Sequence, residues 1–200
     1  MHRAHLNKDP RFRKILPDLE EIVLDTQNKV YLRICRSILS QQLSVHVARV
    51  LYARFLALFN SKEPSLRQIL ETPLEILQSI GFSRAKSVYV HNVCDFFLEN
   101  KITDKKLFEM ADEEVIDLLT QIKGVGRWTV EMILIFTLGR EDVFPVDDLV
   151  IRNATIQLYN IKETDKKKLK EKLLKISERW APYRTYAARY LWMWKDGGGL

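Results

Sequence analysis

Apolar residues recur at three- and four-residue spacing along almost the whole chain, and strict two-residue alternation is scarce. Leu32, Cys35 and Leu39 make one such stripe; Val47, Leu51, Phe55 and Leu58 make another. A stripe with this period lies on one face of an α-helix, whereas a half-buried strand would alternate. The expected fold class is therefore all-α, with about ten helices. Capping chemistry marks several starts. Thr72-Pro73-Leu74-Glu75 offers a cap, a proline at the first helical position and a glutamate three residues after the cap. Asp112 precedes Val115, Leu118 and Leu119, and Thr164-Asp165 precedes Leu169, Leu173, Ile176 and Trp180.

Two hundred residues with 46% hydrophobic content can bury a core without a covalent staple. The net charge is +6, the sign expected of a protein that meets polyanions. Lys166 to Lys172 carries much of that charge, on the face opposite the apolar stripe and interrupted by Glu171; a solvated helix face accounts for it better than DNA binding does. The only cysteines, Cys35 and Cys94, sit in apolar helical contexts and are expected as reduced core thiols. An iron–sulfur cluster needs four thiolates and is excluded. His2, His5, His46 and His91 lack metal-ligand spacing, so no catalytic metal is expected. No stretch approaches the roughly 18 uninterrupted apolar residues of a membrane span. The chain reads as intracellular, and Gly197-Gly198-Gly199-Leu200 as a loose tail.

Two segments carry chemistry. In Leu118 to Val130, two helical patterns are joined through Gly124-Val125-Gly126. Two glycines permit positive φ and leave amides bare, so the following helix can receive a phosphate on its free N–H groups. A Gly-x-Gly between helices is also an ordinary tight connection. Further on, Val143-Phe144-Pro145-Val146 runs into Asp147-Asp148 just before another helical stretch, Leu149 to Arg152. One carboxylate there is a natural cap; two adjacent ones project about 100° apart, so both cannot cap.

Gly124-Val125-Gly126 followed by Asp147-Asp148 resembles the signature of the helix-hairpin-helix DNA glycosylases. Lys123-Gly124-Val125-Gly126-Arg127-Trp128-Thr129 and Asp142 to Asp148 are similar to the 3-methyladenine DNA glycosylase II branch. Ile38 to Ser44, Ile80-Gly81-Phe82-Ser83-Arg84-Ala85-Lys86 and Glu178 to Ala187 agree with it in order. The resemblance spans residues 12 to 195.

It implies a two-lobed fold with a central cleft: one lobe over about 29–137, ending in the hairpin 118–137, the other from 1–28 with 138–196. It implies a monomeric enzyme that binds double-stranded DNA, flips out an alkylated purine and hydrolyses its bond to the sugar. Asp148 stands at the catalytic carboxylate, with Asp147 as the alternative and otherwise a supporting carboxylate or helix cap. Trp128, Trp192, Met132 and Leu149 stand at base-pocket positions, although either tryptophan would serve equally as core. Met132 and Leu149 replace aromatic residues found in bacterial relatives, which leaves the range of bases open. Lys123, Gly124, Val125, Gly126, Arg127 and Thr129 are the expected DNA contacts. Gln42, or Leu43, is the wedge that fills the vacated stack, unless Gln41 and Gln42 merely cap a turn. No cofactor is implied beyond a structural Na+ or K+ held by backbone carbonyls near Ile122 and Val125. Bifunctional relatives carry a lysine where this chain has Trp128, so the amine nucleophile is absent and an intact abasic strand is the expected product. A lyase on oxidised bases using Lys123, and a non-enzymatic DNA-binding module, are the rival readings; paired aspartates oppose the second because they repel phosphate.

Overall fold

The computed structural model describes residues 1–197, so all of the expected tail except Gly197 lies outside the described residues. In chain order the α-helices are α1 (His2–Leu6), α2 (Val30–Ser40), α3 (Val45–Ala57), α4 (Leu66–Glu71), α5 (Leu74–Ser79), α6 (Arg84–Glu99), α7 (Asp104–Glu109), α8 (Asp112–Leu119), α9 (Arg127–Phe136), α10 (Leu149–Tyr159), α11 (Lys166–Ser177) and α12 (Arg184–Asp196). Among the described residues there is no strand, as the periodicity requires. No helix there is long and apolar enough to cross a membrane.

Among the described residues, side-chain caps account for six of the twelve helix starts. Ser44, Ser65, Ser83, Thr103, Asp148 and Asp165 each accept an N–H from the first turn that would otherwise have no partner. Thr72 does not cap as expected. Its hydroxyl donates instead to the Gln68 carbonyl at 2.8 Å and closes α4, so α5 begins with Pro73 at the cap position. Asp112 is likewise the first residue of α8 rather than its cap; Glu114 accepts the Ala111 N–H at 2.7 Å. The α3 stripe is buried only at Leu51 and Phe55, while Val47 and Leu58 are exposed.

Two compact units divide the chain: Met1–Thr26 with Leu134 onward, and Gln27–Ile133. The divisions fall at 26/27 and 133/134, where sequence reasoning set 28/29 and 137/138. In the 27–133 unit, α6 packs on α2 and α4, burying Ile34, Cys35 and Ile38 of α2 with Val90, Val93 and Cys94 of α6. Both cysteines are free and buried; the hydrogen bond with Cys94, together with burial, pushes the Cys35 thiol well above its usual range. In the other unit α10 packs on α12, and Trp180 is fully buried with its ring against the edges of Phe12 and Phe144 at 5.1 and 5.3 Å. Removing a side chain that size costs about 3–5 kcal/mol.

Candidate active site

The loop before α10 is anchored on α12. The Asp142 carboxylate accepts the Arg184 guanidinium at 2.8 and 2.9 Å and the Arg184 N–H at 3.1 Å, and the Val143 N–H donates to the Thr185 hydroxyl at 2.9 Å. Burial raises the Asp142 carboxyl, but the Arg184 bonds outweigh it and hold the group below the ordinary aspartate range. The chain then turns through Pro145 and delivers two carboxylates with different fates. Asp148 is in extended backbone (φ −66°, ψ 126°) and its Oδ1 accepts the Ile151 N–H at 2.9 Å, so Asp148 is the cap of α10. The cap assigned to Asp147 is thereby corrected: one position earlier the side chain points to solvent, and both its oxygens accept the Lys170 ammonium at 2.7 and 2.8 Å. Lys170 lies on the lysine-rich α11, where residues 166–168 and 170–172 are exposed around the buried stripe of Leu173 and Ile176.

The same Asp148 Oδ1 accepts the Trp192 indole N–H at 3.2 Å. Asp148 is only 8% exposed, so it is held from two sides and opens to solvent over a small area. Trp192, half-buried on α12, stacks on Phe136 with ring centres 5.6 Å apart, and the Arg189 guanidinium lies 5.7 Å from the Phe136 centroid. Sequence reasoning missed Phe136. Its signal was the four-residue spacing of Trp128, Met132 and Phe136 along one helix, which sets an aromatic at each end of a stripe. Leu149, the first residue of α10, is 58% exposed, and Met132 is half-buried in α9.

In the 27–133 unit the turn into α9 is fixed by Gly124. Its φ of +104° suits glycine, and a Cβ there would fall 2.3 Å from the Tyr89 ring. The Asn92 amide donates to the Lys123 carbonyl at 3.2 Å, and the Val125 N–H to the Ile122 carbonyl at 3.0 Å. Gly126 is different from expectation: its φ is not positive, and a Cβ would meet nothing within 4 Å. What glycine preserves there is open space beside the start of α9. Three of the expected DNA contacts have side chains engaged within the protein. The Arg127 guanidinium is committed to Glu113, at 2.8 and 3.1 Å, and to Glu131, at 3.1 Å; its hydrogen bonds hold the Glu113 carboxyl below its usual range. The Thr129 side chain is buried, so like the buried Val125 it faces the protein. Lys123 is exposed and Trp128 is 41% exposed.

Gln41, Gln42 and Leu43 form the turn between α2 and α3. Gln42 and Leu43 are exposed, and Gln42 has the left-handed φ of +60°. Among the described residues no group of three His, Cys, Asp or Glu side chains is placed to hold a metal ion.

A model of the HhH-GPD superfamily of base excision DNA repair proteins matches residues 35–179. DNA-3-methyladenine glycosylase 1 of Schizosaccharomyces pombe is 40% identical over 164 residues, covering 81% of this chain and 71% of that protein. Among solved structures, the S. pombe 3-methyladenine DNA glycosylase Mag1 in complex with abasic DNA superposes with a TM-score of 0.85 at 34% identity, over 98% of this chain and 96% of that one. The DNA-3-methyladenine glycosidase of Bacillus halodurans does so with a TM-score of 0.83 at 32% identity, over 96% and 87%.

Proposed function

The chain belongs to the HhH-GPD superfamily of base excision DNA repair proteins, and from that premise we propose that it is a DNA glycosylase that hydrolyses alkylated purines from double-stranded DNA. Its place would be with genomic DNA, in the cytoplasm of a prokaryote or the nucleus of a eukaryote. The observation that carries the reading is Asp148, a nearly buried carboxylate within the family-matched segment, oriented by the Ile151 N–H and by the indole N–H of Trp192 on α12.

In the reaction the target nucleotide leaves the stack, because the bond to be cut cannot be reached inside the duplex. The N-glycosidic bond breaks with its electron pair going to the base, and the sugar acquires oxocarbenium character. A negative charge fixed beside that cation stabilises it in a site with little water to screen it. Asp148 supplies that charge; water adds to the anomeric carbon and loses a proton. Alkylated purines such as 3-methyladenine are cationic, and an indole face attracts a cation by about 0.5–2 kcal/mol. Trp192 offers such a face, buttressed by Phe136, and the resemblance assigns base contact to the exposed Trp128 as well. With an indole at position 128 in place of an amine, the product is an abasic strand left uncut.

The grip on DNA is assigned to Lys123 and to the amides opened by Gly126 at the start of α9, not to the Arg127 guanidinium. A monovalent cation fits the turn's chemistry: carbonyls are hard oxygen donors, and the Ile122 oxygen that accepts the Val125 N–H has a second lone pair. The test is incubation with methylated duplex DNA, chromatography of the released bases and borohydride trapping. Free 3-methyladenine without a covalent protein–DNA adduct is expected; no released base, or a trapped adduct, overturns the reading.

A further inference from the structure

One matched segment, Ile80 to Lys86, has no place in that mechanism, yet its parts converge on the turn between α2 and α3. Gly81, at φ +109°, lets α3 approach so closely that a Cβ would sit 2.9 Å from Leu51 Cδ2. Ser83 caps α6 and so fixes the direction of its first turn. From that turn the Lys86 ammonium reaches back and donates to the Leu39 and Gln41 carbonyls, each at 2.9 Å. These oxygens belong to the end of α2, where helical carbonyls lack intrahelical partners and the helix dipole favours a cation. Burial pushes the Lys86 ammonium below the ordinary lysine value, as befits a cation drawn in from solvent. Between the second of those carbonyls and α3 stands Gln42 in the left-handed region, which favours glycine. The Leu43 N–H closes this turn on the Ser40 carbonyl at 3.1 Å, and the Lys86 ammonium ties the turn to α6.

We infer that Lys86 is a positioning residue for DNA entry: it braces the α2 end so that Gln42 and Leu43 are presented in the form that fills the space of the flipped nucleotide. The proposal rests on the glycosylase reading above. An unbraced turn would have to be ordered during insertion, and that cost matters only where a paired base must be displaced. A base already unpaired needs little help to leave the stack.

The experiment compares Lys86→Met, Lys86→Arg and wild type on 3-methyladenine in fully paired duplex and in single-stranded DNA. Lys86→Met should lower excision from paired duplex about tenfold and from the single strand less than about threefold, with Lys86→Arg restoring most of the loss because it keeps charge-assisted donors. Equal losses on both substrates, or none on either, overturn the proposal while leaving the glycosylase reading intact. Wild-type protein inactive on both substrates overturns both. If Lys86→Met does not fold, Lys86→Gln carries the comparison. Insertion is also read directly, in the Asp148→Asn background, by 2-aminopurine opposite an abasic site. At saturating protein the Lys86 variant should change its fluorescence less than Asp148→Asn alone, and an equal change contradicts the brace.

Discussion

The starts of α9 and α10 are both reached through a tight turn, and both present the positive end of a helix, yet they are finished in opposite ways. At α9 the residue before the helix is Gly126, which has no side chain to offer and open space where one would stand. At α10 the same position is Asp148, whose carboxylate already occupies the helix end. A helix start preceded by a residue without a side chain leaves room for an anion from outside; one closed by its own carboxylate presents negative charge instead. The first suits a phosphate and the second a cation developing on a sugar. Local charge follows the same division: near α9 the cation Arg127 is consumed by Glu113 and Glu131, and near α10 the surplus anion Asp147 is consumed by Lys170.

Replacing Asp148 by Asn is the hardest test of this contrast. Asparagine caps a helix about as well as aspartate, so the fold should persist while base release falls by about 10²–10³. Binding to DNA should hold or tighten as an anion is removed. Near wild-type excision by this variant, with Asp147→Asn inactive, would move the catalytic role by one residue. The glycines come next. Gly124→Ala forces a Cβ into the Tyr89 ring at positive φ and should lower stability by about 1–3 kcal/mol in urea unfolding. Gly126→Val should unfold like wild type yet bind undamaged duplex about tenfold more weakly, or about 1.4 kcal/mol; unchanged binding would reduce the turn to a connection.

Trp192→Phe keeps a ring against Phe136 but deletes the donor to Asp148, and a lost hydrogen bond of this kind should lower excision about three- to tenfold without changing affinity for undamaged DNA. An unchanged rate would make the indole N–H irrelevant. Acid probes the loop that leads into α10. The folded-state pKa of Asp142 is depressed, so its contribution is present above the ordinary aspartate pKa and is lost as pH falls through the depressed value. Thermal unfolding should show Arg184→Ala narrowing its deficit to wild type over that acidic interval. The smallest effect belongs to Lys170→Gln: the ion pair with Asp147 is about half exposed, and such pairs contribute about 0–1 kcal/mol. An excision rate altered more than about threefold would show that the pair tunes the neighbouring carboxylate.

Helical class, the two turns and the residues flanking them were legible in the sequence because periodicity and turn chemistry are local. The apolar stripe from Leu169 to Trp180 and the Asp165 cap could be read within a dozen positions, and α11 formed as its own residues dictate. The partner of each polar group was not legible, because it is chosen by atoms brought close only on folding. Neighbouring aspartates look alike in a string of letters; Lys170, 23 positions from Asp147, and Trp192, 44 from Asp148, make one an ion pair and the other an oriented cap. Arg127 reads as a phosphate ligand, and the sequence gives no sign that Glu113, 14 positions back, pairs with its guanidinium. Lys86 entered only as the last residue of a matched segment, and only the packing of α6 on α2 brought its ammonium to carbonyls 45 and 47 positions away.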